Sequence, residues 1–324
     1  MANLKTTFAG LKLKNPLIIS SSGLTNSAEK NKKLEEAGAG AIVLKSLFEE
    51  QIMLQTEHLQ NSEYAEGSDY LSGYIRSHSL NEYINLIQSS KKECNIPIIA
   101  SINCFSNAEW TEFAKTMELA GADAIELNIL AVQTDVNYTY GSFEQRHIDI
   151  LREVKKHVDI PVIIKLGTNL TNPVTLIEQL HANGAGGIVL FNRFYQPDLN
   201  IQTLEYTNGE VLSHPGDLSA SIRWTGISSA AVNKVDYAVS GGISTGEDIV
   251  KSILSGASVV EICSSIYRNG KESIHPMLET VSKWMEEKGY EAISQFKGLM
   301  NASRINGINN FERTQFLKYF GEKE

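Results

Sequence analysis

Two lysines and three asparagines stand at the ends of short, strongly apolar runs. They are Lys45 in AIVLKS, Lys165 in PVIIKL, Asn103 in PIIASIN, Asn128 in AIELNI and Asn192 in GIVLFN. An ammonium carried on an apolar run costs free energy unless something compensates its charge. Snorkelling to solvent from the end of the run is one solution. Contact with an electron-rich cofactor ring is another, and a Schiff base with a carbonyl substrate stays open for both lysines. Asparagine presents a donor and an acceptor in one plane, which suits the mixed edge of a planar ring, although it also serves as a plain turn former.

Small residues follow two further runs. SGGIST places Gly241 and Gly242, and CSS places Ser264 and Ser265, where backbone N–H groups and nearby helix starts can cradle an anion. A tight turn needing small residues is the alternative. Ser21, Ser22 and Gly23 in IISSSG, and Ser46 beside Lys45, extend the set. Other chemistries lose ground. There is no H-x-x-x-H pair, no carboxylate cluster at the run ends and no G-x-S-x-G elbow, so no metal site is expected. His58, His78, His147, His157, His181 and His214 fall in loops or on helix exteriors, and most read as solvated. Cys94, Cys104 and Cys263 form no C-x-x-C pair and read as reduced side chains of a cytosolic protein.

These residues need a scaffold that brings run ends together. The apolar runs number eight, at 16–20, 41–45, 97–103, 124–129, 161–166, 187–192, 237–242 and 259–264. Most are Ile- and Val-rich without alternation, as strands covered on both faces are. Between them lie helical patterns, such as 26–38 with Ser27 placed to cap, and 143–158 with Ile148, Leu151, Val154 and Val158 on one stripe. Four of these end alike before the next run: EEAGAGAIVL, ELAGADAIEL, HANGAGGIVL and ILSGASVVEI. Glycine stops a helix, and proline opens two other runs. The pattern predicts one α/β domain over residues 1–324, a TIM (β/α)₈ barrel, in preference to a doubly wound open sheet. Residues 4–14 read as an N-terminal hairpin closing the barrel bottom. Residues 48–96, with a helix from about Leu80, and 193–225 read as long βα-loop insertions. Barrel active sites collect at the C-terminal strand ends, with phosphate at the last two loops.

The formal net charge of -9 argues against nucleic acid as a partner. MANLKTTFAG carries no secretory pattern, and no apolar run approaches a bilayer span. A cytoplasmic protein with a small-molecule substrate and no membrane partner is expected.

In order, KNPLIISSSG, VLKS, SINC, ELN, VIIKL, the asparagine after the sixth run, SGGI with GEDI, and EEKGYEAISQFKG resemble the dihydroorotate dehydrogenase family, class 1 above all. The resemblance spans about residues 4–295 and implies FMN. It implies that Ser21, Ser22, Gly23, Lys45, Ser46, Asn103, Asn128 and Lys165 contact the flavin, with Lys165 near its pyrimidine end. Gly241, Gly242, Ser264 and Ser265 would hold the phosphate. Asn128, Gln133 and Asn192 would meet a pyrimidine-like substrate ring, and a homodimer is implied. One departure bears on the chemistry. Class 1 relatives carry an LNLSCPN-like motif whose cysteine is the general base, whereas this chain reads LNILAVQ, with Ala131 at the base position and Gln133 for the asparagine. Alanine moves no proton. Asp135 and Cys104 are the replacement candidates. The expectation is an FMN-dependent oxidoreductase acting on a CH–CH group, with an altered substrate. Genuine dihydroorotate oxidation with a displaced base, and a non-catalytic flavin- or metabolite-binding barrel, stay open.

Overall fold

Thr6–Phe8 (β1) and Leu11–Leu13 (β2) pair antiparallel, Thr6 opposite Leu13, in the expected N-terminal hairpin. The structure is a computed structural model. It describes residues 2–48, 68–103 and 110–304, with side chains from residue 78 in the second stretch and from 113 in the third. After the hairpin, the barrel begins with Leu17–Ile19 (β3), Ala28–Glu36 (α1) and Ala41–Val43 (β4). The short Leu47–Phe48 (β5), Ser68–Glu93 (α2) and Ile98–Asn103 (β6) come next. Trp110–Leu119 (α3), Ala124–Asn128 (β7), Ser142–Lys155 (α4), Val162–Gly167 (β8), Pro173–Ala182 (α5) and Gly187–Asn192 (β9) repeat the unit. A hairpin of Pro197–Asn200 (β10) and Glu205–Asn208 (β11) interrupts it before Leu218–Ala231 (α6). Asp236–Ser240 (β12), Gly246–Ser255 (α7), Val259–Ile262 (β13), Ser264–Asn269 (α8) and Ile274–Lys288 (α9) complete it.

The parallel strands β3, β4, β6, β7, β8, β9, β12 and β13 are neighbours in that order, and β13 pairs back with β3, so the ring closes. This is the expected TIM barrel, with β5 added beside β6. The caps are local. Ser27 Oγ accepts from Lys30 N at 3.4 Å, and Asn172 Oδ1 accepts from Thr175 N at 3.1 Å ahead of Pro173.

The two insertions differ from their reading. Helix α2 begins at Ser68, not near Leu80, because the Ser-, Gly- and Tyr-rich stretch from 68 to 79 has weak helix propensity and reads as loop. The 193–225 segment holds the hairpin β10–β11 and the start of α6. Helix α6 escapes periodicity because, after Leu218 at its start, its buried face is made of Ser221, Thr225, Gly226, Ser228 and Ser229 rather than large apolar residues. Small residues there allow close approach to α7, where Ser229 Oγ donates to the Ser255 carbonyl at 3.0 Å.

Successive strand residues face alternately into and out of the barrel. The lowest interior layer is apolar. Ile18, Ile99, Ala124, Ile163, Val189, Ala238 and Val259 pack with Phe8, Ala9 and Leu13 of the hairpin, which plugs the barrel bottom. The outward residues meet the helices in the larger core. Two residues further along six of these strands the interior turns polar, with Ser20, Ser101, Glu126, Lys165, Ser240 and Glu261 all buried, while β9 presents Phe191. Among the described residues no helix is long and apolar enough to cross a membrane.

Candidate active site

The polar layer forms the floor of a cavity of roughly 480 Å³ at the C-terminal strand ends, a size within the range of cofactor and substrate clefts. Ser21, Ser22, Gly23, Lys45, Ser46, Asn103, Asn128, Lys165, Asn192, Gly241, Gly242 and Ser264 all line it. Ser265 does not. Its side chain is buried, and its hydroxyl has no hydrogen-bond partner. Ala131, Gln133 and Asp135 also lie off the cavity wall. The Ala131 carbonyl accepts from Asn169 Nδ2 at 2.8 Å, while the exposed Asp135 accepts from Asn137 N at 2.8 Å in its own turn. Cys104 lies outside the described residues.

Hydrogen bonds tie the wall into one network. Ser46 N donates to Ser21 Oγ at 2.8 Å, and the Ser46 and Ser101 hydroxyls are 2.8 Å apart. Asn128 Nδ2 donates to Ser101 Oγ at 3.1 Å, and Asn128 Oδ1 accepts from Asn192 Nδ2 at 3.1 Å. The Asn128 and Asn192 amides are therefore held at fixed orientation from β7 to β9. Such preorganised groups lose little freedom when a planar ligand arrives.

Lys165 neither snorkels nor waits unpaired. Its Nζ donates to Glu261 Oε2 at 2.6 Å and to Ser20 Oγ at 2.8 Å, with Glu126 Oε1 at 3.6 Å. Ser20 Oγ also donates to Glu261 Oε2, at 3.0 Å. This corrects the expectation that the strand ends lack carboxylates. Glu126 and Glu261 each sit on the inward face, two residues before Asn128 and Cys263, so the period-two spacing was the available signal. Lys165, Glu126 and Glu261 are 5%, 0% and 2% exposed. Burial pulls the ammonium pKa down, but the two carboxylates outweigh that and hold it above its ordinary value. Burial and the neighbouring charge of Glu261 push Glu126 up to about 8. Glu261 goes the other way, because Lys165 overcomes its burial. The geometry agrees, since the ammonium is an ångström closer to Glu261. The set therefore holds an ammonium and a carboxylate in contact, with Glu126 the acid more readily protonated.

The glycine turn forms the opposite end. Gly241 and Gly242 have φ of 91° and 77°, values that favour glycine. A Cβ on Gly241 would meet nothing within 4 Å, so that backbone faces open space. A Cβ on Gly242 would strike the backbone of Leu218 and His214. Gly242 N donates to Ser213 Oγ at 3.1 Å, and Ser213 N donates to Ser264 Oγ at 2.9 Å, which adds Ser213 of the 209–217 strap to the cavity wall. Arg268 Nη2 fixes that strap through the Leu212 carbonyl at 3.3 Å. The start of α7 does not join the cradle. Asp248 Oδ2 accepts from Ser244 N at 3.1 Å and Thr245 N at 3.0 Å, so that helix start is filled by its own acid. We expect Gly242→Ala to cost at least about 2 kcal/mol in urea denaturation, and Gly241→Ala about 1 kcal/mol from the backbone alone. Equal losses would contradict this account of the turn.

One histidine departs from its reading. His147 is buried on the inner stripe of α4, with Nδ1 2.7 Å from the Phe143 carbonyl and its ring edge-on to Phe143. Burial lowers its pKa. The spacing Phe143, His147, Leu151, Val154 already placed it on that stripe.

A family model described as dihydroorotate dehydrogenase matches residues 3–285. The catalytic subunit of dihydroorotate dehydrogenase B (NAD(+)) from Thermoplasma volcanium is 30% identical over 312 residues, covering 92% of this chain and 99% of that protein. The corresponding subunit from Methanocaldococcus jannaschii is 25% identical, over 88% of this chain and 94% of that protein. The NAD-dependent dihydropyrimidine dehydrogenase subunit PreA of Escherichia coli is 25% identical, over 92% of this chain and 77% of its own length.

Proposed function

The chain belongs to the dihydroorotate dehydrogenase family, and from that premise we propose that it is an FMN-dependent oxidoreductase acting on a CH–CH bond of a pyrimidine-like ring other than dihydroorotate. The observation that carries the cofactor reading is the single cavity that joins a fixed amide and ammonium set to a glycine cradle facing open space. The donor set fits the two ends of a flavin mononucleotide. Gly241, Gly242, Ser264 and Ser213 would take the phosphate, and Asn103, Asn128 and Lys165 the ring. Lys45, Ser21, Ser22 and Ser46 line the wall between them. When bound, FMN supplies a two-electron hydride acceptor and donor.

The altered substrate rests on what stands after β7. Ala131 offers no proton acceptor, and Asp135, the nearest carboxylate in that loop by sequence, is exposed and bonded within its own turn. A positioned base is worth about 10²–10⁴ in rate. Restoring one by Ala131→Cys should therefore raise dihydroorotate oxidation by about that factor over the natural chain. Stopped-flow bleaching of the flavin absorbance reads it. A natural chain that already oxidises dihydroorotate rapidly, and no faster with the cysteine, would show that its substrate is dihydroorotate after all.

A further inference from the structure

We propose that Glu261 acts as a positioning residue that neutralises Lys165 at the cavity floor and thereby lowers the reduction potential of the bound flavin. The inference rests on the FMN reading above. Its own ground is the geometry of three buried side chains.

Lys165 and Glu261 both line the cavity, from β8 and from β13, and meet at 2.6 Å. Ser20 bridges them, accepting from the ammonium at 2.8 Å and donating to the carboxylate at 3.0 Å. Glu126 stands behind, 3.6 Å from the ammonium and off the cavity wall. A flavin that gains a hydride equivalent also gains negative charge at its pyrimidine edge. A lone ammonium there would stabilise that charge strongly, because a buried site screens poorly. An ammonium in contact with a carboxylate presents a dipole instead, whose field falls off faster. Lys165 thus keeps its hydrogen-bonding shape while losing most of its electrostatic pull.

The consequence is specific to Glu261. Glu126 lies an ångström further from the ammonium and off the cavity wall, so removing its carboxyl changes the field at the ring less. Removing the Glu261 carboxylate exposes the ammonium to the ring. Glu126 would take over part of the pairing, from a greater distance and from behind.

Dye-equilibrated reduction of the FMN-loaded protein tests this. Glu261→Gln should load FMN and be easier to reduce, with its reduction equilibrium constant raised about tenfold, or about 30 mV for a two-electron couple. Glu126→Gln should change that constant less than about threefold at pH 7. An FMN-loaded Glu261→Gln protein with an unchanged or lower potential overturns the proposal. Should that variant not load flavin, sulfite titration of the natural holoprotein decides. Sulfite bonds through its sulfur to the flavin ring, and the electron pair displaced from the ring lands at the pyrimidine edge, where an unpaired ammonium would tighten the adduct. Affinity no tighter than for free FMN supports the proposal, and affinity tighter by about tenfold overturns it. A natural chain that stays colourless with added FMN defeats the cofactor reading and this inference together. A yellow chain whose variant shows no shift defeats the inference alone.

Discussion

Lys165→Met is expected to lose about 3–5 kcal/mol of stability at neutral pH. The lysine lies within ion-pair distance of both Glu261 and Glu126, and both acids are buried. Removing it leaves a carboxylate without its counter-charge, which costs far more than the pair itself contributes. Methionine matches the stem, so the loss is not one of packing volume. The pH dependence identifies the cause. In the natural chain Lys165 holds Glu261 below its ordinary carboxylate range. That contribution is present above the unfolded value and fades as pH falls through the folded one. In the variant both acids are pushed up, so its deficit should widen as pH rises above about 4.5 and shrink below it. Urea denaturation at pH 4 and pH 8 reads the difference. A loss under about 1 kcal/mol, or one independent of pH, would show that the triad is not electrostatically coupled.

The second large effect is Glu126→Gln, and its sign is opposite. The folded pKa of Glu126 is raised from 4.5 to about 8. Between those values the native chain keeps a proton that the unfolded chain has released. Stability contributed at this site therefore falls as pH rises through that window, and the full penalty is reached above it. Glutamine mimics the protonated acid and does not titrate. The variant should match the natural chain near pH 4 and exceed it by a few kcal/mol at pH 9. Glu126 Oε2 is buried without a hydrogen-bond partner, so a charge on that carboxyl is costly. A stability difference that stays flat from pH 4 to pH 9 would mean that Glu126 is ionised throughout. The two variants together separate the roles of the acids, since one deletes the cation they share and the other deletes the proton.

The barrel was legible because its signals are local and repeated. Gly38, Gly121, Gly184 and Gly256 all take positive φ at the four helix ends where the repeated phrase stands. Ser27 caps α1, and the proline-led runs become β6 and β8. Propensity, capping and the run of apolar residues agree with the global fold at these points. Helix α6 and the first turns of α2 were not legible. The first buries small polar residues, and the second is written in weak helix formers, so neither carries a 3.6-residue apolar period.

Among the site residues, Lys165, Asn128, Gly241 and their neighbours announced themselves as residues ill suited to an apolar strand or suited to a tight turn. Sequence by itself thus determined the eightfold repeat, the end of the barrel where these polar residues collect, and an alanine at position 131. It could not decide what Lys165 touches. Ser20, Glu126 and Glu261 lie 145, 39 and 96 residues away from it in the chain, and only closure of the ring brings β3, β7, β8 and β13 round one axis. Nor could it decide that Ser213 leaves the insertion to bond with the glycine turn. Strand and helix are set by neighbours in the chain. The charge at the floor of this cavity is set by which strands face one another across it, and that is a property of the closed barrel alone.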